Sequence, residues 1–389
     1  MLTSGAFGYM ADYMLLWVLY LSLLVHAWCF FRCFPKKRFP KMRLVLGNAL
    51  VFFCMTGMVA IAAESYLRFV AVETDPFGLS LPARRWFVLH TTLNSLGYRD
   101  KEWSTDKPPG VRRIAFLGDS FTYGWGIKDP QERFTERLQT MFNRRHQSHD
   151  REGADTTTGL PGERHGTSST ADPYGGSERA GNAQLVEVMN ASKPGWDTGA
   201  QIQPMIDLIA GYDVDEIVLC YVPNDIEKLL PISEDFNPIL PPQPRWFNPE
   251  SSCLLDHLYR RLYVPRVATV RGYHDWLAAG FADQAIWRQH QRQLGAIMRL
   301  CREHDVTLRV VLLPFLRTAG PQYQPERLHK NVRRFFQSND VAVVDLLPVI
   351  ADADPSDLTV NARDAHPNER AHALFAQAIW QAFYAQPTP

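Results

Sequence analysis

A serine hydroxyl is a weak nucleophile until a neighbouring base takes its proton, so a reactive serine implies partners elsewhere in the chain. Ser120 lies in the block Gly118-Asp119-Ser120-Phe121-Thr122, directly after the apolar run 114–117. That run has the length and bounds of a buried strand, and α/β folds bind ligands at the carboxyl ends of such strands. Three more short blocks follow at comparable places: Asn190-Ala191-Ser192-Lys193-Pro194-Gly195, Val222-Pro223-Asn224-Asp225, and Asp364-Ala365-His366-Pro367-Asn368. Each block alone reads as ordinary turn chemistry. In a parallel sheet all four converge on one edge, and together they supply a hydroxyl, an imidazole, amides and carboxylates.

The elements that carry these blocks alternate. Apolar runs at 185–189, 217–222, 308–313 and 341–344 join 114–117 as predicted strands. Between them, helical spacing appears in Phe134, Leu138, Met141 and Phe142, in Ile202, Met205, Ile206 and Ile209, and in Leu294, Ile297, Met298 and Cys301. It recurs in Leu328, Val332, Phe335 and Phe336, and a last helix is expected over about 368–384. Strand–helix alternation with continuous β-branched runs predicts a parallel five-stranded sheet covered on both faces. The stretch 146–182 is rich in Gly, Ser, Thr and charge, holds almost no large aliphatic residue, and reads as a disordered insertion. Residues 227–283 are rich in proline and aromatics and too long for a plain loop. An aromatic-rich cap beside the site and a surface excursion both fit them.

Before these elements come two apolar stretches, 14–31 and 44–63, the second free of charge. Each is close to the roughly 20 residues that cross a bilayer as a helix. Arg32, Lys36, Lys37, Arg38, Lys41 and Arg43 lie between them with no acid. A short basic loop of this kind stays in the cytoplasm, which places everything after Glu64 outside it. No basic residue precedes Asp12, so the first stretch lacks the n-region of a cleaved signal peptide. The expected organisation is a membrane hairpin over 1–73 (helices about 12–31 and 44–66), a linker over 74–110, and a catalytic domain over 111–386 that holds the insertion and the cap-like region.

Composition narrows the function. Lys and Arg balance Asp and Glu at 41 each, which gives no support to nucleic-acid binding. The six cysteines form no C-x-x-C pair and the histidines form no ligand motif, so neither a disulfide framework nor a metal is indicated, and no cofactor is expected. Asn190-Ala191-Ser192 matches a glycosylation sequon and reads as a chance match, because a glycan there would crowd the site.

The four blocks, in this order, resemble the SGNH or GDSL-type hydrolase superfamily over about 111–384. The resemblance implies a flavodoxin-like three-layer α/β/α sandwich with Ser120 as nucleophile, His366 as general base and Asp364 as its orienting acid. It also implies an oxyanion hole made by Ser120, Gly195 and Asn224. Two positions depart from the family pattern. Val222 stands where the third block usually begins with glycine, and Arg363 stands where the acid usually precedes the histidine by three residues; Asp357 and Asp354 are the fallback acids. The expectation is a membrane-anchored, extracytoplasmic (periplasmic) serine esterase acting on acyl esters, with acylated carbohydrate as the candidate substrate. An O-acyltransferase on an exported polysaccharide and a non-catalytic binding module on the same fold are the alternatives.

Overall fold

A computed structural model describes residues 3–35, 39–155, 185–233, 237, 239, 243–244, 247–248, 251–318 and 324–385. Its helices are α1 (Thr3–Cys33), α2 (Pro40–Phe69), α3 (Leu81–His90), α4 (Ser120–Tyr123), α5 (Phe134–Asp155), α6 (Thr198–Tyr212), α7 (Cys253–Leu258) and α8 (Ala268–Arg271). They continue with α9 (Tyr273–Ala282), α10 (Gln284–Glu303), α11 (Pro325–Gln337), α12 (Pro355–Leu358) and α13 (Glu369–Phe383). The strands are β1 (Val111–Gly118), β2 (Leu185–Ser192), β3 (Glu216–Tyr221), β4 (Thr307–Leu312) and β5 (Ala342–Asp345). The chain divides into two compact units, Met1–Thr91 with Ile232–Tyr273, and Thr92–Pro231 with His274–Pro389.

The second unit is built on one parallel sheet in the order β2-β1-β3-β4-β5. Successive side chains of a strand face opposite sides, and the core divides accordingly. Ala115, Leu117, Ile217, Leu219, Val310 and Leu312 belong to a cluster with Met205 and Leu208 of α6, Leu294, Ile297 and Met298 of α10, and Val332 and Phe336 of α11. Ile114, Phe116, Val218, Cys220 and Val311 belong to another with Phe134 and Leu138 of α5 and Phe375, Ala376 and Ile379 of α13. The sheet is therefore buried on both faces, as its unbroken apolar strands require. Since β1 lies between β2 and β3, the β1-to-β2 and β2-to-β3 connections run in opposite directions across the sheet, and the crevice of a doubly wound sheet opens at the carboxyl end of β1.

In the first unit α1 and α2 are each long and apolar enough to cross a membrane, and no part of their apolar windows is buried by protein. Both run past the apolar stretches that announced them, into polar flanks at either end. Helix α3 falls inside the segment read as a linker. Ser80 accepts a hydrogen bond from the Ala83 amide, and Pro82 occupies the first turn, where its missing N–H costs nothing. Helix α5 continues through Asp155, ten residues into the stretch expected to be irregular from 146. Local polarity does not by itself stop a helix, and no proline falls between Phe134 and Asp155. The remainder of that expected insertion, from 156, lies outside the described residues.

The turn from β1 into α4 has no room for a larger residue at its start. A Cβ on Gly118 would stand 2.3 Å from Thr122 Oγ1, 2.8 Å from Thr122 Cβ and 3.0 Å from Cys220 Cβ. Gly118→Ala is expected to cost roughly 1–3 kcal/mol through overpacking, visible as a lower urea midpoint at unchanged slope.

Candidate active site

Ser120 begins α4 two residues beyond the end of β1, with Asp119 between. Asp119 caps this turn, its Oδ1 accepting the Phe121 amide at 2.9 Å. Across the crevice His366 precedes α13, whose N-terminus is capped by Asn368. The His366 loop folds back on itself. Val360 N donates to His366 O at 3.0 Å, and Asn361 Oδ1 accepts the amides of Arg363 and Asp364, both at 2.9 Å. Arg317 braces the same loop by donating to Ala362 O at 2.8 Å and to Thr359 Oγ1.

This scaffold puts His366 Nε2 2.7 Å from Ser120 Oγ and His366 Nδ1 2.5 Å from Asp364 Oδ1. Asp364 is fully buried, and it also accepts the His366 backbone amide at 3.2 Å. The carboxylate therefore fixes both the ring and its backbone. The spacing of two is sufficient because the tight 361–366 loop turns the acid under the ring. Asp357 pairs with Arg370 at 3.1 Å on the surface, and Asp354 caps α12, so the fallback acids are engaged elsewhere. The rings of Phe121 and Trp125 stand 5.3 and 6.4 Å from the imidazole and give it an aromatic wall.

Asn224 enters through the turn Pro223–Leu229 after β3, and its Nδ2 donates to Asp119 Oδ2 at 3.2 Å. One carboxylate thus caps the serine turn and orients the asparagine amide. Burial pushes the Asp119 carboxyl above the usual range, against the Phe121 amide, the Asn224 amide and nearby His366, which lower it. Asp225 is pushed well up by burial and by the neighbouring Asp119 and Asp197 carboxylates. Val222, in place of the usual glycine, is fully buried in the core beside β3. Gly195 sits in the β2–α6 loop at φ +76°, a left-handed conformation that favours glycine, and a Cβ there would meet nothing within 4 Å. Lys193 N donates to Gly118 O at 3.2 Å and ties this loop to the end of β1. Asn190 of the sequon is buried and gives its amide to Thr122 O and Thr135 Oγ1, which leaves no place for a glycan.

Sequence reasoning missed two arginines behind the serine turn, Arg99 and Arg133, each 1% exposed. Arg99 donates to Gly124 O at 2.8 Å and Ile127 O at 2.7 Å, and Arg133 donates to Arg99 O at 2.5 Å and Tyr123 O at 3.3 Å. They satisfy carbonyls of the 123–127 turn, where Gly124 and Gly126 take left-handed φ. Burial, with Arg133 alongside, lowers the Arg99 guanidinium to about 10, still charged at neutral pH. No periodic signal marks Arg99; the only hint is the Asn94–Gly97 turn chemistry around it. Arg99→Met should leave the buried Ile127 carbonyl unpaired and Gly124 O with only the Ile127 amide, and cost about 2 kcal/mol, measured by chemical unfolding.

A family model described as the GDSL-like lipase/acylhydrolase family matches residues 116–374. Among solved structures, TesA is 12% identical with a TM-score of 0.39, covering 70% of this chain and 99% of its own. The esterase EstA from Pseudoalteromonas sp. is 13% identical with a TM-score of 0.38, covering 70% and 97%. The acetyl xylan esterase AlAXEase is 12% identical with a TM-score of 0.36, covering 70% and 99%. No curated protein matches. With its five-stranded parallel sheet and a family match over most of its length, the chain belongs to the GDSL-like lipase/acylhydrolase family and is an ester-hydrolysing enzyme.

Proposed function

We propose that the protein is a membrane-anchored serine esterase that works through an acyl-Ser120 intermediate outside the cytoplasm. The continuous hydrogen-bonded line Ser120 Oγ–His366 Nε2–Asp364 Oδ1, at 2.7 and 2.5 Å, carries the reading. Ser120 Oγ attacks the ester carbonyl carbon while His366 Nε2 takes its proton. The tetrahedral oxyanion is stabilised by the Ser120 and Gly195 amides and by the Asn224 Nδ2–H that Asp119 does not use. Collapse expels the alcohol, which takes the proton from His366. Water, deprotonated by the same imidazole, then attacks the acyl-serine and releases the acid. Asp364 holds the Nδ1–H tautomer and stabilises the imidazolium at both stages.

Location follows from charge. Helices α1 and α2 form the anchor, and the basic residues from Arg32 to Arg43 keep their connection in the cytoplasm. The substrate class that fits an enzyme displayed there is an acylated carbohydrate of the cell surface or its surroundings. Its location and its ester chemistry support this reading.

Activity measurements and reporter fusions test the proposal. Ser120→Ala should abolish both p-nitrophenyl acetate hydrolysis and fluorophosphonate labelling, and Asp364→Asn should lower kcat by about 10⁴ through the wrong imidazole tautomer. Undiminished hydrolysis by Ser120→Ala would refute the mechanism. An alkaline phosphatase fused after Pro389 should be active in a bacterial host and a β-galactosidase fusion inactive; the reverse pattern would put the catalytic unit in the cytoplasm.

A further inference from the structure

The charge-free run 44–63 of α2 is long enough, at about 1.5 Å per residue, to fill roughly 30 Å of hydrocarbon. Glu64 is thus the first residue to leave it. Its carboxylate is buried and fully used. It accepts from Ser252 Oγ at 3.0 Å and from the first amides of α7, Cys253 N at 3.0 Å and Leu254 N at 2.8 Å. Arg68, one turn on, pairs with Glu64 at 2.8 Å and donates to Ser251 O at 2.9 Å. On the same helix end Arg85 of α3 donates to the carbonyls of Arg68 and Ala71. Two short helices are therefore bolted to α2 at the depth where it emerges. Tyr13 lies at this end too, hydrogen-bonded to Ser65 Oγ at 2.7 Å with its ring 5.0 Å from Phe69, an aromatic placement suited to an interface.

Helix α3 and the segment that begins with α7 carry apolar side chains turned out from the protein. Leu255, Leu258, Leu262 and Tyr263 are exposed, Leu262 by 52% and Tyr263 by 54%; Phe87, Val88 and Leu89 are exposed on α3. Beside them stand cations. Residues 252–271 hold four arginines against one aspartate, and Asp256 is spent on Arg260 at 2.8 Å, while Arg261, Arg266 and Arg271 are exposed. Exposed leucines interleaved with arginines, fixed at the exit of a spanning helix, match an interfacial helix that buries its apolar residues among acyl chains and its cations among phosphates.

We propose that α3 and the 252–271 segment form a collar lying on the bilayer, where they insert these apolar side chains and bind anionic lipid headgroups. The collar rests on the reading that α1 and α2 span the membrane. Glu64 is its fastening, because it welds the start of the segment to the helix at interfacial depth. The occupant is the lipid surface itself, since continuity with the spanning helix leaves these residues at the level of the headgroups.

The test uses the full chain in nanodiscs of phosphatidylethanolamine and phosphatidylglycerol, with Cys29, Cys33 and Cys54 replaced by serine. Nitroxide labels are placed singly through Leu258→Cys, Leu262→Cys, Val51→Cys as a marker of the span, and Gln337→Cys as a water-exposed control. Collisions with oxygen and with a water-soluble nickel chelate then report depth. Labels at 258 and 262 should show several-fold lower nickel accessibility than the label at 337, with oxygen accessibility retained. Combined Arg261→Glu, Arg266→Glu and Arg271→Glu should move them outward while the label at 51 stays buried. If 51 is buried but 258 and 262 collide with nickel as 337 does, the collar is overturned. Labels at 258 and 262 shielded from both reagents would mean that protein, either a second copy or another partner, covers the face, which also overturns it. A water-exposed label at 51 would instead refute the membrane anchor on which the collar depends.

Discussion

A parallel sheet can be continued only by carrying the chain back over one of its faces, so every strand ends at the same edge. That constraint decides where chemistry can occur in the catalytic unit. β1 ends at Gly118, β2 at Ser192 and β3 at Tyr221, with Gly118 and Ser192 paired in register. Each strand releases its block into the same crevice: Ser120, the loop holding Gly195, and the turn holding Asn224. The histidine arrives by another route, from the loop before the last helix. Its position therefore depends on the small fold-back of 359–367, held by a single antiparallel bridge between Thr359 and Pro367 and by Arg317.

Charged groups placed inside the protein then hold what the sheet has gathered. Arg99 and Arg133 are buried, and their guanidinium groups are spent on carbonyls of the tight 123–127 turn. A guanidinium has five donors in a rigid plane, which suits several carbonyls at once and explains why arginine fills the place. Asp119 serves two masters, capping the serine turn and aligning the Asn224 amide. In the other unit Glu64 and Arg68 perform a comparable service, capping α7 from the end of a long apolar helix. In each case hydrogen bonds offset the burial of a charged side chain, and removing one partner would leave the other exposed to the cost of desolvation.

Much of this was legible in the sequence because it obeys short-range rules. The five apolar runs became the five strands, and the helical spacings of Leu294, Ile297, Met298 and Cys301 and of Leu328, Val332 and Phe336 face the core. Boundaries were less legible. Helix α5 runs on through a polar stretch, and α3 forms within a segment whose prolines and glycines suggested a linker, since Ser80 and Pro82 start a helix rather than prevent one. Of the region 227–283, read as cap or excursion, residues 232–273 group with the two long apolar helices in one compact unit, because Glu64 reaches Cys253 across nearly two hundred residues of chain.

By itself the sequence determined the alternation of strands and helices, the two spanning-length apolar helices, and the residue types that meet in the crevice. These follow from hydrophobic period and turn chemistry, which are local. Only the tertiary structure decided that Asp364, two residues from His366, reaches the imidazole, that Asp119 joins the serine turn to Asn224, and that Arg99 and Glu64 are buried. Those outcomes depend on distances between segments far apart in the chain, and a hydrogen bond is decided by tenths of an ångström that no spacing in sequence encodes.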